Sequence, residues 1–319
     1  MSARRSCHLS LGRARNPGTM PALFTLFCAC SPQPPALPAP PDTPTRVGTD
    51  RLPPAAPPRN PSEQAHATSV AFALELIPER ELKLSEALNL AEPPEGSLWL
   101  LVRLRPPRGA HLYWKNPGGT GLETQASVFA PEGYRVGEAL YPGPMRFRSG
   151  RGTVSYGYPS ETALFVLLER LQSPGPSIPS FDVAASWLSC DHFCTKEGRR
   201  ETITLGERPR ENWESVANLS ARLPRALPPD IDVLRPSSFE LRVHGPKNTR
   251  LLEYFPIAPS IGDFEDVLQD RPDSRTLVVR SANSGALTEG VLSVTRNNVE
   301  AWYLITEQSR PSHPLGGRP

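Results

Sequence analysis

The chain has 319 residues and a formal net charge of +2, with 38% hydrophobic and 21% charged residues. That is enough for two modest domains with flexible ends and has the composition of a soluble globular protein. Acidic and basic residues are interspersed throughout, so no basic face points to nucleic acid and no acidic block to a solvating tail.

The N-terminal segment opens with Arg4, Arg5, Arg13 and Arg15 ahead of a short apolar run from Pro21 to Cys30. The run is too short to span a bilayer but has the length of a signal-peptide core. Residues 1–30 resemble a bacterial lipoprotein signal with Cys30, after Ala29, as the lipidated residue. A cleaved secretory peptide is the alternative, and Met20 is a second possible start. Proline, at 39 residues, is the compositional outlier, and it is concentrated in residues 31–66. Proline fixes its own backbone and blocks helix and sheet ladders, so this stretch is expected to be a disordered tether. At ~3 Å per residue it would reach roughly 100 Å. The expectation is a periplasmic protein tethered to the membrane only through its N-terminal lipid.

From Thr68 the pattern changes to period two. Val70, Phe72, Leu74 and Leu76 alternate with smaller or polar residues, as do Leu98, Leu100, Val102 and Leu104, which is how half-buried strands read. Further strands are expected over Thr153–Tyr158, Ala163–Leu171, Asp182–Leu188 and Glu201–Leu205. Gly and Pro clusters at Asn116–Gly121 and Tyr141–Pro144 read as turns. Short strands at turn-marked spacing predict an antiparallel β-sandwich over residues 67–208. A connector (209–235) follows, with a helix over Glu211–Leu219 whose Trp213, Val216, Ala217 and Leu219 share a face. Strands over Phe239–Val243, Leu251–Phe255, Thr276–Arg280, Gly290–Thr295 and Ala301–Ile305 predict a second, smaller β domain (236–307). The tail (308–319) has too little apolar content to order. The fold class is therefore all-β.

The chemistry is concentrated in Trp187-Leu-Ser-Cys-Asp-His-Phe-Cys194, which holds the two cysteines beyond the N-terminal segment. A disulfide closing so short a loop restricts the unfolded chain by only about 2 kcal/mol, which makes it a poor staple. Three readings stand on the bare motif. Cys190 and Cys194 form an ordinary hairpin disulfide, or a redox dithiol, or, with His192 and His111, soft ligands for copper or zinc. Cys190 is expected at a strand end and Cys194 in the loop or on the returning strand. Protonated His192 would favour a nearby thiolate and Asp191 would oppose it. His111 reads as a strand-end residue among aromatics, with a modulating role open to it. Ser155 and Ser189 lie in no nucleophile elbow, and the glycines near Gly118 open no βαβ helix, so neither hydrolase nor nucleotide-binding chemistry is suggested.

Several motifs taken in order carry a more specific message: His111-Leu-Tyr-Trp-Lys-Asn-Pro-Gly118, Pro131-Glu-Gly133, Tyr141-Pro-Gly-Pro144, Tyr156-Gly-Tyr158, and Trp187-Leu-Ser-Cys190 with Phe193-Cys194. Together they resemble the N-terminal periplasmic domain of DsbD and ScsB type thiol:disulfide interchange proteins. Leu252–Pro256 and Gly290–Val294 resemble the second β region of ScsB-like members. The resemblance implies an immunoglobulin-like sandwich carrying a redox cysteine pair and no organic cofactor or metal. The partners it implies are a thioredoxin-like or DsbD/CcdA-type membrane electron donor and oxidised periplasmic proteins. It makes Cys194 the sulfur that meets partners, Cys190 the resolving one, and Tyr141, with Phe193, a shield over the pair. The spacing between the cysteines is shorter than in the best-known DsbD, and Thr195 stands where a proline often follows the second cysteine. The sequence holds no membrane or thioredoxin-like segment, so electrons are expected from separate proteins, with cytochrome c maturation, copper tolerance and oxidative repair open as settings. The alternatives to an exchange protein are a binding module braced by a structural disulfide, and a copper-handling protein using Cys190, His192 and Cys194.

Overall fold

In chain order the structure, a computed structural model, begins with β1 (Ala71–Pro78), the short helices α1 (Glu79–Leu82) and α2 (Leu84–Ala87), β2 (Leu98–Arg105), β3 (His111–Gly118), β4 (Gln125–Phe129) and β5 (Tyr134–Leu140). It continues with β6 (Met145–Arg148), β7 (Val154–Tyr158), β8 (Thr162–Arg170), β9 (Ser180–Cys190) and β10 (Cys194–Thr204). It describes residues 69–148, 152–172, 178–207, 213–258, 267–281, 286–287 and 289–309. The expected signal peptide with Cys30, the linker 31–66 and the tail beyond Ser309 lie outside these. Among the described residues no helix is long and apolar enough to cross a membrane.

These strands form two antiparallel sheets. One has the order β1-β2-β8-β5; the other has the order β10-β9-β3-β7-β6, with β4 also paired to β9. Alternation places Phe181, Val183, Ala185 and Trp187 of β9 inward, where they meet Leu98, Leu100, Val102 and Leu104 of β2. This is the immunoglobulin-like sandwich expected from the sequence. β2 is buried on both faces, because its Trp99 and Leu101 pack under α2 and the connector with Phe165, Leu219 and Leu223. A strand covered on both sides reads as a continuous apolar run, and Arg103 is its one buried charge. Glu75 (3.0 Å), Glu161 (3.4 Å) and the Glu214 carbonyl (3.0 Å) accept from that guanidinium.

The helix in the connector is α3 (Val216–Ala221) rather than Glu211–Leu219. Ser215 is its N-cap, its hydroxyl accepting from the Asn218 N–H at 3.2 Å. Trp213 therefore precedes the helix, with the Arg105 guanidinium 4.4 Å from its ring centroid; residues 211–212 lie outside the described ones.

The second β-sandwich follows. It comprises β11 (Arg225–Ala226), β12 (Asp232–Ser237), β13 (Glu240–His244), β14 (Thr249–Pro256), β15 (Val267–Asp273), β16 (Thr276–Ser281), β17 (Gly290–Arg296) and β18 (Val299–Ile305). Its sheets run β11-β18-β17-β14 and β12-β13-β16-β15. Leu241, Val243, Tyr254, Leu277, Val279, Leu292 and Val294 fill the space between them. The two sandwiches share apolar contacts: Phe255, Val291 and Trp302 belong to the core of the first. Phe255 meets Trp114 and Tyr156 edge-on at 6.4 and 5.5 Å. Asn116, fully buried, donates to the carbonyls of Pro256 (2.8 Å) and Ala258 (3.3 Å), which satisfies its amide at the junction.

Candidate redox site

β9 and β10 form a long hairpin in which Cys190 and Cys194 lie directly opposite, with Cα atoms 4.1 Å apart, and are joined by a disulfide. Both strand positions match the expectation from the sequence. Only Asp191, His192 and Phe193 span the turn, and Asp191 shapes it. Its carboxylate accepts from the Phe193 N–H at 2.8 Å, while its own N–H donates to the Phe193 carbonyl at 3.1 Å. Those contacts, led by the Phe193 N–H, hold the Asp191 carboxyl below its ordinary range, so a fixed negative charge sits in the turn and opposes a thiolate there.

The two sulfurs differ in access. Cys190 is 3% exposed, whereas Cys194 is exposed at the start of an edge strand. An arriving thiol or disulfide can meet Cys194, while Cys190 is reached from within. Phe193, expected to shield the pair, is instead 83% exposed at the hairpin tip. The turn projects its side chain into solvent, with nothing on the outer side to receive it. His192 is exposed beside it.

The residue over the buried sulfur is Tyr113. Its hydroxyl donates to Cys190 Sγ at 3.3 Å, and it is 5% exposed. Burial pushes the phenol up, opposed by a hydrogen bond with the Thr120 side chain, so it stays a protonated donor. The loop after β3 lies against its ring: Gly121 has φ +115°, and a side chain there would overlap Tyr113. The Asn116–Gly121 stretch expected as a turn is thus partly the end of β3 and partly a cover for this tyrosine.

His111 is opposite Cys190 in register on β3. Its ring stacks on Phe147 at 4.6 Å and meets the edge of Tyr113 at 5.1 Å. Burial lowers its pKa from 6.5, and Nε2 is buried with no hydrogen-bond partner. It is therefore a neutral aromatic neighbour of the pair at pH 7, and it brings no cation to a thiolate. Tyr141, the expected shield, is joined to the site at one remove. Its hydroxyl donates to the Thr124 carbonyl at 2.9 Å, and the Thr124 hydroxyl donates to the Tyr113 carbonyl at 2.6 Å. The Tyr141 phenol is pushed up to about 12, by burial first and by the Glu123 charge second.

Tyr113 and Thr124 were not singled out from the sequence. The signal for Tyr113 is its place two residues along from His111 on the same face of β3, but that needs the pairing of β3 with β9, which no local pattern reveals. The metal reading finds no support in the geometry. The sulfurs bond to each other, and no group of three or more His, Cys, Asp or Glu side chains is placed for a metal among the described residues.

Residues 79–205 match the family model described as thiol:disulfide interchange protein DsbD, N-terminal. This stretch is a DsbD N-terminal domain. The match covers the sandwich from α1 to the end of β10 and includes both cysteines, as the ordered motifs implied. Among solved structures, the N-terminal periplasmic domain of ScsB from Proteus mirabilis is similar at 15% identity over 66% of this chain and 87% of that one, with a TM-score of 0.46. The Escherichia coli chaperone DraB is similar at 9% identity over 73% of this chain and 96% of that one, with a TM-score of 0.15. No curated protein matches the chain. The DsbD N-terminal domain thus accounts for the first sandwich and leaves the second outside its match.

Proposed function

We propose that the protein is a periplasmic thiol-disulfide exchange protein that carries electrons on the Cys190/Cys194 pair, from a thioredoxin-like or DsbD/CcdA-type membrane donor to oxidised periplasmic proteins. The observation that carries this reading is the asymmetry of the pair inside a DsbD N-terminal domain. One sulfur is open to a visitor, and the other is buried under a hydrogen-bond donor.

In the reduced state the Cys194 thiolate attacks a substrate disulfide, forming one S–S bond while the other substrate sulfur leaves as a thiolate. Cys190 then attacks the Cys194 sulfur. The second substrate thiolate leaves, the Cys190–Cys194 disulfide forms, and two electrons and two protons have passed to the substrate. A donor thiolate restores the dithiol by attacking Cys194. Cys190 leaves as a thiolate steadied by the Tyr113 hydroxyl, and the donor's second thiol completes its own disulfide. The N-terminal arginines, the short apolar run and Cys30 support export and lipid anchoring, with residues 31–66 as the tether. The mass of the mature N-terminus tests that part directly, since an unmodified start beyond Cys30 excludes lipidation.

The test of the exchange reading is a trapping experiment. Reduced protein carrying Cys190→Ser is mixed with an oxidised thioredoxin-like protein. A covalent adduct through Cys194 is expected, with far less from Cys194→Ser. No adduct, or equal adducts from both variants, would leave the pair as a brace.

A further inference from the structure

The second sandwich bears on the loop Tyr141-Pro-Gly-Pro144 between β5 and β6, and that loop is one step from the redox sulfurs. Gly143 is held on two sides. Its N–H donates to the Arg222 carbonyl at 2.8 Å, and its own carbonyl accepts from Arg222 Nη2 at 3.0 Å. The Trp302 indole lies so close that a Cβ at Gly143 would overlap the ring. Trp302 is 6% exposed and itself packs on Phe255, 5.8 Å between ring centroids. The next carbonyl along, that of Pro142, accepts from Tyr158 Oη at 2.8 Å. Proline at 142 and 144 removes most of the remaining backbone freedom. From Tyr141 the hydrogen bonds already described run through Thr124 to Tyr113 and end on Cys190 Sγ.

We propose that Trp302 of the second sandwich and Arg222 of the connector are positioning residues for the disulfide exchange: by fixing Gly143 they hold Tyr141, Thr124 and hence the Tyr113 hydroxyl on the Cys190 sulfur. This rests on the exchange reading. The second sandwich is then part of the redox site, although it supplies no atom to it. Physical reasons favour coupling over simple adjacency. Every link is a packed ring or a hydrogen bond between groups with little freedom, which is the kind of contiguous network that transmits a displacement. The last link is a donor whose effect on a thiolate depends steeply on distance and angle. A displaced 141–144 loop would let β3 relax and withdraw the phenol, raising the Cys190 thiol pKa.

The test is a double-mutant cycle read on the chemistry of Cys190. In the full chain carrying Cys194→Ser, alkylation of Cys190 is followed across pH by mass spectrometry of its peptide. Arg222→Gln, which keeps the backbone contact and removes only the side-chain one, and Trp302→Ala should each lower the rate near neutral pH by up to about threefold. Trp302→Phe should restore most of it. On a Tyr113→Phe background neither change should have further effect, because the link they act through is gone. Wild-type profiles for Arg222→Gln, or effects that simply add to that of Tyr113→Phe, would overturn the proposal. Arg222 is partly exposed and its variant keeps the fold's apolar contacts, so the test stands even where Trp302→Ala does not fold. Failure of the coupling is distinct from failure of the exchange reading, since the first is read on Cys190 alone and the second on adduct formation through Cys194.

Discussion

Replacing Tyr113 by Phe removes one oxygen and nothing else from the site. The lost contact is a 3.3 Å hydrogen bond from a buried phenol to Cys190 Sγ. A hydrogen bond to a charged partner is worth roughly 1.5–3 kcal/mol, and sulfur is a weak acceptor, so the low end applies. About 1.4 kcal/mol corresponds to about one pKa unit, and the direction is upward because the donor favours the thiolate. At neutral pH the thiolate fraction falls about tenfold. The more basic sulfur is a better nucleophile by about threefold, which leaves resolution by Cys190 about threefold slower. The assay is the pH profile of site-resolved alkylation of Cys190 in the Cys194→Ser chain, with unfolding curves for each variant as the control for folding. A midpoint unmoved by Tyr113→Phe would show that the phenol does not steady the thiolate, and the role assigned to it would be wrong.

Other outcomes follow from other contacts. His111 is neutral in the fold because burial lowers its pKa, so the unfolded chain binds the extra proton first as pH falls. Stability should decline as pH drops below about 6.5 toward the lower folded pKa, and His111→Gln should flatten that part of a urea-unfolding series; an unchanged slope would contradict the assignment. Glu161→Ala leaves Arg103, 3% exposed, with Glu75 as its remaining carboxylate. Chemical denaturation should show a loss of about 3 kcal/mol, whereas a loss below about 1 kcal/mol would mean the cluster contributes little. Phe193→Ala at a site 83% exposed should change stability by less than about 0.5 kcal/mol yet slow adduct formation with a thioredoxin-like partner, as expected of an aromatic contact beside the attacked sulfur. An unchanged adduct rate would remove Phe193 from the docking surface.

The strands legible in the sequence are those with one wet and one dry face, or with two dry ones. β9, with Phe181, Val183, Ala185 and Trp187, and β2, apolar throughout, are of this kind. β4 and β5 were not legible, because their residues are mostly exposed or half-buried and the alternation is weak. β10 was seen only at its end, where Ile203 is its one buried residue. The helix was placed early because Trp213 extends the apolar face of α3 in sequence, while in space it leaves the helix to stack on Arg105. The cysteines were legible through spacing and ordered motifs. Their surroundings were not: Tyr113 comes to Cys190 by pairing between β3 and β9, and Trp302 reaches Gly143 across the junction of two sandwiches. Long-range register of that kind leaves no local trace.

The reduction potential of the Cys190/Cys194 pair, measured by equilibrating the purified mature protein in glutathione buffers and quantifying the dithiol, is the most direct test of the central claim. An exchange carrier should equilibrate readily, with a potential above about −300 mV. A pair that stays oxidised down to that value would be a structural brace, and the electron-transfer role would be contradicted.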